Sequence, residues 1–172
     1  MLTSSCAVRL AVPEDVPALI TLMRALAVFE DYIDEFKVDA QALLDRAFGP
    51  QAQCQIFVAE WDACVAGYAV VLEIPYTYDL RPTILLKELY VSDACRGRGL
   101  GHALLQHVAR VALDKGAARI KWDVMVGNDP AEAFYQALGG HRDSKWIPYQ
   151  MGIREIEMLA TSMDRKASEL CD

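Results

Sequence analysis

A chain of 172 residues, 53% of them hydrophobic, is long enough for one domain with a sizeable core. Its formal net charge is −7 at pH 7, so the whole-molecule field repels nucleic-acid phosphates and anionic headgroups, and neither nucleic acid nor membrane is expected as a partner. No apolar run approaches the ~20 residues that span a bilayer, and the N-terminus lacks a basic region followed by an apolar core, so a cytoplasmic protein is expected.

The first element, "CAVRLAV", alternates and predicts a strand. "PEDVPALITLMRALAVFE" predicts a helix with Pro13 and two acids at its start and with Val16, Leu19, Ile20, Met23 and Leu26 on its buried face. "VDAQALLDRAFG" predicts a second helix, capped by Asp39 and stopped at Gly49-Pro50. "CQIFVAEW" and "VAGYAVVLEIPY" read as a hairpin turning near Asp62, and "TILLKELYV" as a further strand of that group. "LGHALLQHVARVALDKG" carries Leu100, Leu104, Leu105, Val108 and Ala112 on one helical face and stops at Lys115-Gly116. "AARIKWDVMV" then predicts a strand, "DPAEAFYQALGG" a short helix with Asp129 capping Pro130, "SKWIPYQMG" another strand, and residues 153–172 a terminal helix of unassigned role. This order predicts an α/β (α+β) class with one mixed sheet and helices on both faces, in a single domain over residues 1–172.

The five cysteines are odd in number, lack a Cys-x-x-Cys pair and have no histidines at zinc spacing. Reduced thiols and no metal site are expected. The chemistry concentrates instead in "ELYVSDACRGRGLGHALL", from Glu88 to Leu105, where a strand runs through Gly97, Gly99 and Gly101 into a helix. Glycine permits the φ values that turn amides inward, and those amides meet the positive end of the helix dipole. The turn therefore suits an anionic phosphate, with Arg96 and Arg98 able to add charged contacts. It is not a Walker loop, because no Gly-Lys-Ser/Thr is present, and the Gly-x-Gly-x-Gly spacing differs from the dinucleotide fingerprint. The glycines alone also fit a merely tight turn.

"RGRGLG" fits the pattern Arg/Gln-x-x-Gly-x-Gly/Ala and, with "ELYV" upstream, resembles the pyrophosphate loop of the GNAT acyltransferase superfamily. "NDPAEAFYQALGG" resembles a second motif of that family, with Asn128, Tyr135 and Gly139 in place and its alanine at Ala131. "VRLAVPEDVPALITLMRALAVFEDY" looks like the first strand and helix of the spermidine/spermine and thialysine acetyltransferase branch. The resemblance covers residues from about Ala7 to Met151. It implies a mostly antiparallel sheet splayed between its fourth and fifth strands, acetyl-CoA as co-substrate and a small-molecule amine as acceptor. It further implies that Leu89, Tyr90 and Val91 line the pantetheine arm, that Arg96, Gly97, Arg98, Gly99, Leu100 and Gly101 hold the pyrophosphate, and that Asn128 bonds the arm, with helix capping as its other reading.

Acetyl transfer to an amine needs a neutral nucleophile and a proton for the departing thiolate. A phenol with an ordinary pKa of roughly 10 stays protonated at neutral pH, and the matching family residue makes Tyr135 the general acid. A primary amine with an ordinary pKa near 10.4 must lose a proton, and Glu88 is the nearest base, directly or through water. Alternation predicts that Lys87 and Glu88 point to opposite faces, so that one of the two lines the cleft. Lys87 stands where the polyamine branch has an acid, which departs from a polycation site. For the acceptor, the branch resemblance marks Phe29, Glu30 and Trp146, and alternation adds Asp123 or its neighbour Trp122. Asp31, Asp34 and Glu35 read either as a solvated helix end or as an amine-attracting rim. Two other activities stay open: a protein or peptide N-acetyltransferase, and a non-catalytic module that binds coenzyme A. A homodimer is expected by the same resemblance, with the tail from Ile153 either at its interface or covering the core; light scattering distinguishes the two.

Overall fold

The computed structural model describes residues 6–75 and 78–169, with side chains through Thr161. Tyr76, the last residue of the expected hairpin strand, and the final residues of the tail lie outside the described residues. The chain falls into two compact units, Met1–Gly127 and Asn128–Asp172.

In the first unit, β1 (Cys6–Leu10), β2 (Gln55–Trp61), β3 (Cys64–Ile74), β4 (Thr83–Val91) and β5 (Arg119–Lys121) form one sheet in the order β1-β2-β3-β4-β5. The first three pairings are antiparallel and the last, β4 with β5, is parallel. The parallel ladder joins only Thr83, Ile84 and Leu85 to Arg119, Ile120 and Lys121, so β4 runs on to Val91 beyond the end of its pairing with β5. This is the expected splay between the fourth and fifth strands. The strand expected over "AARIKWDVMV" is shorter than its apolar pattern, ending at Lys121 where the chain leaves the β4 edge.

Helices cover both sheet faces. α1 (Val16–Phe29) places Leu19, Leu22, Met23 and Leu26 on Ile56, Val58, Tyr68, Val70 and Tyr90. α3 (Leu100–Asp114) places Leu100, Leu104, Val108 and Ala112 on Phe57, Ala59, Ala69, Val71, Ile84 and Leu86. Leu19, Leu104 and Val108 are fully buried, each removing side-chain area worth about 2 kcal/mol from water. The helix expected after Val38 is a single α-turn, α2 (Ala40–Leu43), capped by Asp39 as predicted and followed by a π-turn over Leu44–Phe48.

The second unit holds α4 (Asp129–Ala137) and α5 (Ile153–Glu169). The cap of α4 is Asn128, not Asp129: the Asn128 side-chain oxygen accepts the Ala131 N–H at 3.2 Å, and Asp129 is the first helical residue. "SKWIPYQMG" forms no strand. Its alternation matches a pleat, but Pro148 removes a backbone donor in mid-run and no described strand of this unit offers an edge to pair with.

Candidate active site

The glycine turn lies at the head of α3. Gly99 is the helix N-cap with φ +82°, and Gly97 has φ +72°, both in the left-handed region that side chains disfavour. A Cβ at either position would meet nothing within 4 Å, so the backbone conformation and not crowding selects glycine, and the turn opens onto free space. The first intrahelical bond is from Ala103 N–H to Gly99 O at 2.9 Å. The amides of Leu100, Gly101 and His102 precede that bond and point out of the helix end, where the dipole adds positive potential. Leu100 is buried in the α3-side core and pins this end in place.

The two arginines of the turn are held differently. Arg96 pairs with Asp93 at 2.8 Å, donates from Nε to the Val91 carbonyl at 3.2 Å, and lies 5.5 Å from the ring centres of both Phe29 and Tyr90. It thereby ties the loop to the strand that feeds it and to the end of α1. The Arg98 guanidinium sits 4.9 Å over the Trp61 ring.

Directly upstream, β4 breaks its own alternation. Ile84 and Leu86 belong to the α3-side core, yet so do Leu89 and Val91, whereas Tyr90 belongs to the α1-side core. The register shift between Val70 and Val71, whose partners are Glu88 and Leu86, leaves Lys87 as the extra residue of a β-bulge. The bulge turns Glu88 onto the α1 face, where the Tyr68 hydroxyl donates to Glu88 Oε2 at 2.7 Å. The simple alternation from which Lys87 and Glu88 are expected on opposite faces is interrupted at this point by the bulge. Beyond the bulge, Leu89, Tyr90 and Val91 pair with Ala69, Tyr68 and Gly67 of β3, leaving their other edge toward the splay.

Around Glu88 the α1 face gathers an acidic, phenol-rich cluster. Glu30, the C-cap residue of α1, has its carboxyl pushed above the ordinary range by burial and by the Glu88 charge, with Lys87 opposing. Burial, Glu88 and Glu30 push the Tyr32 phenol up to about 12. Burial and the Glu88 charge also raise the Cys54 thiol and, far more strongly, the fully buried Tyr68 phenol. Phe29 is 45% exposed beside Arg96. Thus Phe29, Glu30, Glu88, Tyr90 and Arg96, chosen from sequence, meet in one region, joined by Tyr32, Cys54 and Tyr68. The last three were missed because "GYAVV" reads as ordinary buried strand and neither Tyr32 nor Cys54 sits in a motif.

Asp123 is exposed and Trp122 packs on the α3-side core. In the second unit, Tyr135 is half-buried on α4 with its ring edge-on to Phe134 at 5.1 Å, and its carbonyl accepts the Gly140 N–H at 2.9 Å across the left-handed Gly139. Trp146 is 64% exposed, with the Lys145 ammonium 5.0 Å over its ring. Among the described residues no group of three or more His, Cys, Asp or Glu side chains is arranged to hold a metal.

A mixed sheet that splays beside a glycine turn opening a helix defines an acyltransferase fold. Residues 25–140 match the Acetyltransferase (GNAT) family, and the chain belongs to that family. It is 33% identical over 140 residues to a thialysine N-epsilon-acetyltransferase of Bos taurus, spanning 77% of this chain and 82% of the relative. An L-ornithine N5-acetyltransferase of Arabidopsis thaliana is 22% identical over 184 aligned residues, 81% of each chain. The fold is also that of an aminoglycoside acetyltransferase from an uncultured soil metagenomic sample, with TM-score 0.72 and 17% identity over 86% of this chain and 96% of that one.

Proposed function

We propose that this acetyltransferase moves an acetyl group from acetyl-CoA to a primary amine of a small molecule, an amino acid or diamine, by direct attack. The observation that carries the reading is the pairing of two sites along one strand: the open amide turn after Val91, suited to a pyrophosphate, and the Glu30–Glu88 carboxylates on the α1 face, suited to an ammonium. The names of the thialysine and ornithine relatives support an acceptor of that size and charge.

In this reading the amides from Gly97 to Gly101 hold the pyrophosphate, and the free edge of Leu89, Tyr90 and Val91 pairs with the pantetheine arm while one N–H polarises the thioester carbonyl. Glu88 takes a proton from the ammonium, directly or through water. The neutral amine forms the new C–N bond, the C–S bond breaks, and Tyr135 delivers a proton to the thiolate. Asn128 serves the active site by capping and fixing α4, the helix that carries Tyr135. Phe29, Glu30, Asp123 and Trp146 contact the acceptor.

Tyr135→Phe is the direct test of the acid. It should lower turnover by roughly 10²- to 10⁴-fold while acetyl-CoA affinity, read by calorimetry, stays within about twofold. Turnover near wild type would remove Tyr135 from the reaction.

A further inference from the structure

The Tyr68 hydroxyl lies beneath the acceptor face, and nothing in the glycine loop or the α4 motif calls for a phenol there. Tyr68 is 0% exposed on the central strand β3, its ring packed in the α1-side core and 6.4 Å from that of Tyr90. Its hydroxyl reaches Glu88 Oε2 at 2.7 Å, a charge-assisted length. The contact is a diagonal one. Tyr68 stands opposite Tyr90 and Glu88 opposite Val70, and only because the Lys87 bulge shifts the phase of β4 do the two side chains share a face.

We propose that Tyr68 is a positioning residue for Glu88, holding one carboxylate oxygen so that the other is presented to the acceptor ammonium. The inference rests on Glu88 being the base. Burial keeps the Tyr68 phenol protonated throughout the working pH range, so it donates in every state of the cycle. An aromatic ring in the core has two torsions and close neighbours, which makes it a stiffer support than a surface side chain.

Tyr68→Phe keeps the ring and deletes the donor. With the acetyl-CoA and amine pair that gives the fastest thiol release, it should lower kcat roughly tenfold or more and leave KM for the amine nearly unchanged. In a Glu88→Gln background the substitution should have little further effect on kcat. An equal loss of kcat in both backgrounds, or unchanged kcat in the single variant, would show that Tyr68 only fills the core. Full turnover in Glu88→Gln alone would instead overturn Glu88 as the base, and with it the catalytic role of Tyr68.

Discussion

Asp15 shows how one side chain can set the acid limit of this fold. It is 7% exposed, accepts both terminal nitrogens of Arg9 at 2.7 and 2.9 Å, and accepts the Val12 N–H at 2.8 Å, while Arg9 also bridges to Glu60 of β2. The Arg9 hydrogen bonds, aided by Val12, hold the Asp15 carboxyl below its ordinary value against the opposing effect of burial. A depressed carboxyl adds stability that is present above the unfolded value near 3.9 and is lost as pH falls through the lower folded value. Asp15→Asn should therefore cost about 1–3 kcal/mol at pH 7 and flatten the loss of stability below about pH 4, both read from urea unfolding across pH. An unchanged acid slope would place the acid sensitivity elsewhere. The sequence shows Arg9 and Asp15 close together but not the bridge from Arg9 to Glu60, because that contact spans 51 positions and is set by the β1–β2 register.

At the scale of elements, helices and turns were the legible part. The periodic apolar faces of α1 and α3 and the glycine turn stand as predicted, since each is decided by local spacing and local φ. The β-bulge was not legible. Nothing in "TILLKELYV" marks Lys87 as an extra residue; the shift comes from pairing with β3, which itself carries an irregularity opposite Ala59 and Glu60. Phe29, Glu30 and Glu88 could be named from sequence, but their grouping with Tyr68 could not. β3 also meets β4 closely at Gly67, where a Cβ would stand 2.9 Å from the Tyr90 carbonyl oxygen and 3.1 Å from Val91 Cγ2. Gly67→Ala must push this part of β4 away and should cost about 1–3 kcal/mol, lowering the urea midpoint and raising KM for acetyl-CoA through the displaced Leu89–Val91 edge. A midpoint and KM equal to wild type would show that the contact yields freely.

For the whole molecule, a charge of −7 favours the approach of cations over anions. The expected strand at "SKWIPYQMG" failed for a reason that belongs to this scale: alternation states a preference, but a ladder needs an edge, and the described residues of that unit offer none to residues 141–152. Steady-state thiol release over a panel of thialysine, ornithine, spermidine and an N-terminal peptide tests small-amine acetylation from acetyl-CoA. Saturable release with thialysine or ornithine should exceed release with the peptide and collapse in Glu88→Gln. Release confined to the peptide, or none with any amine from protein that binds acetyl-CoA, would contradict it.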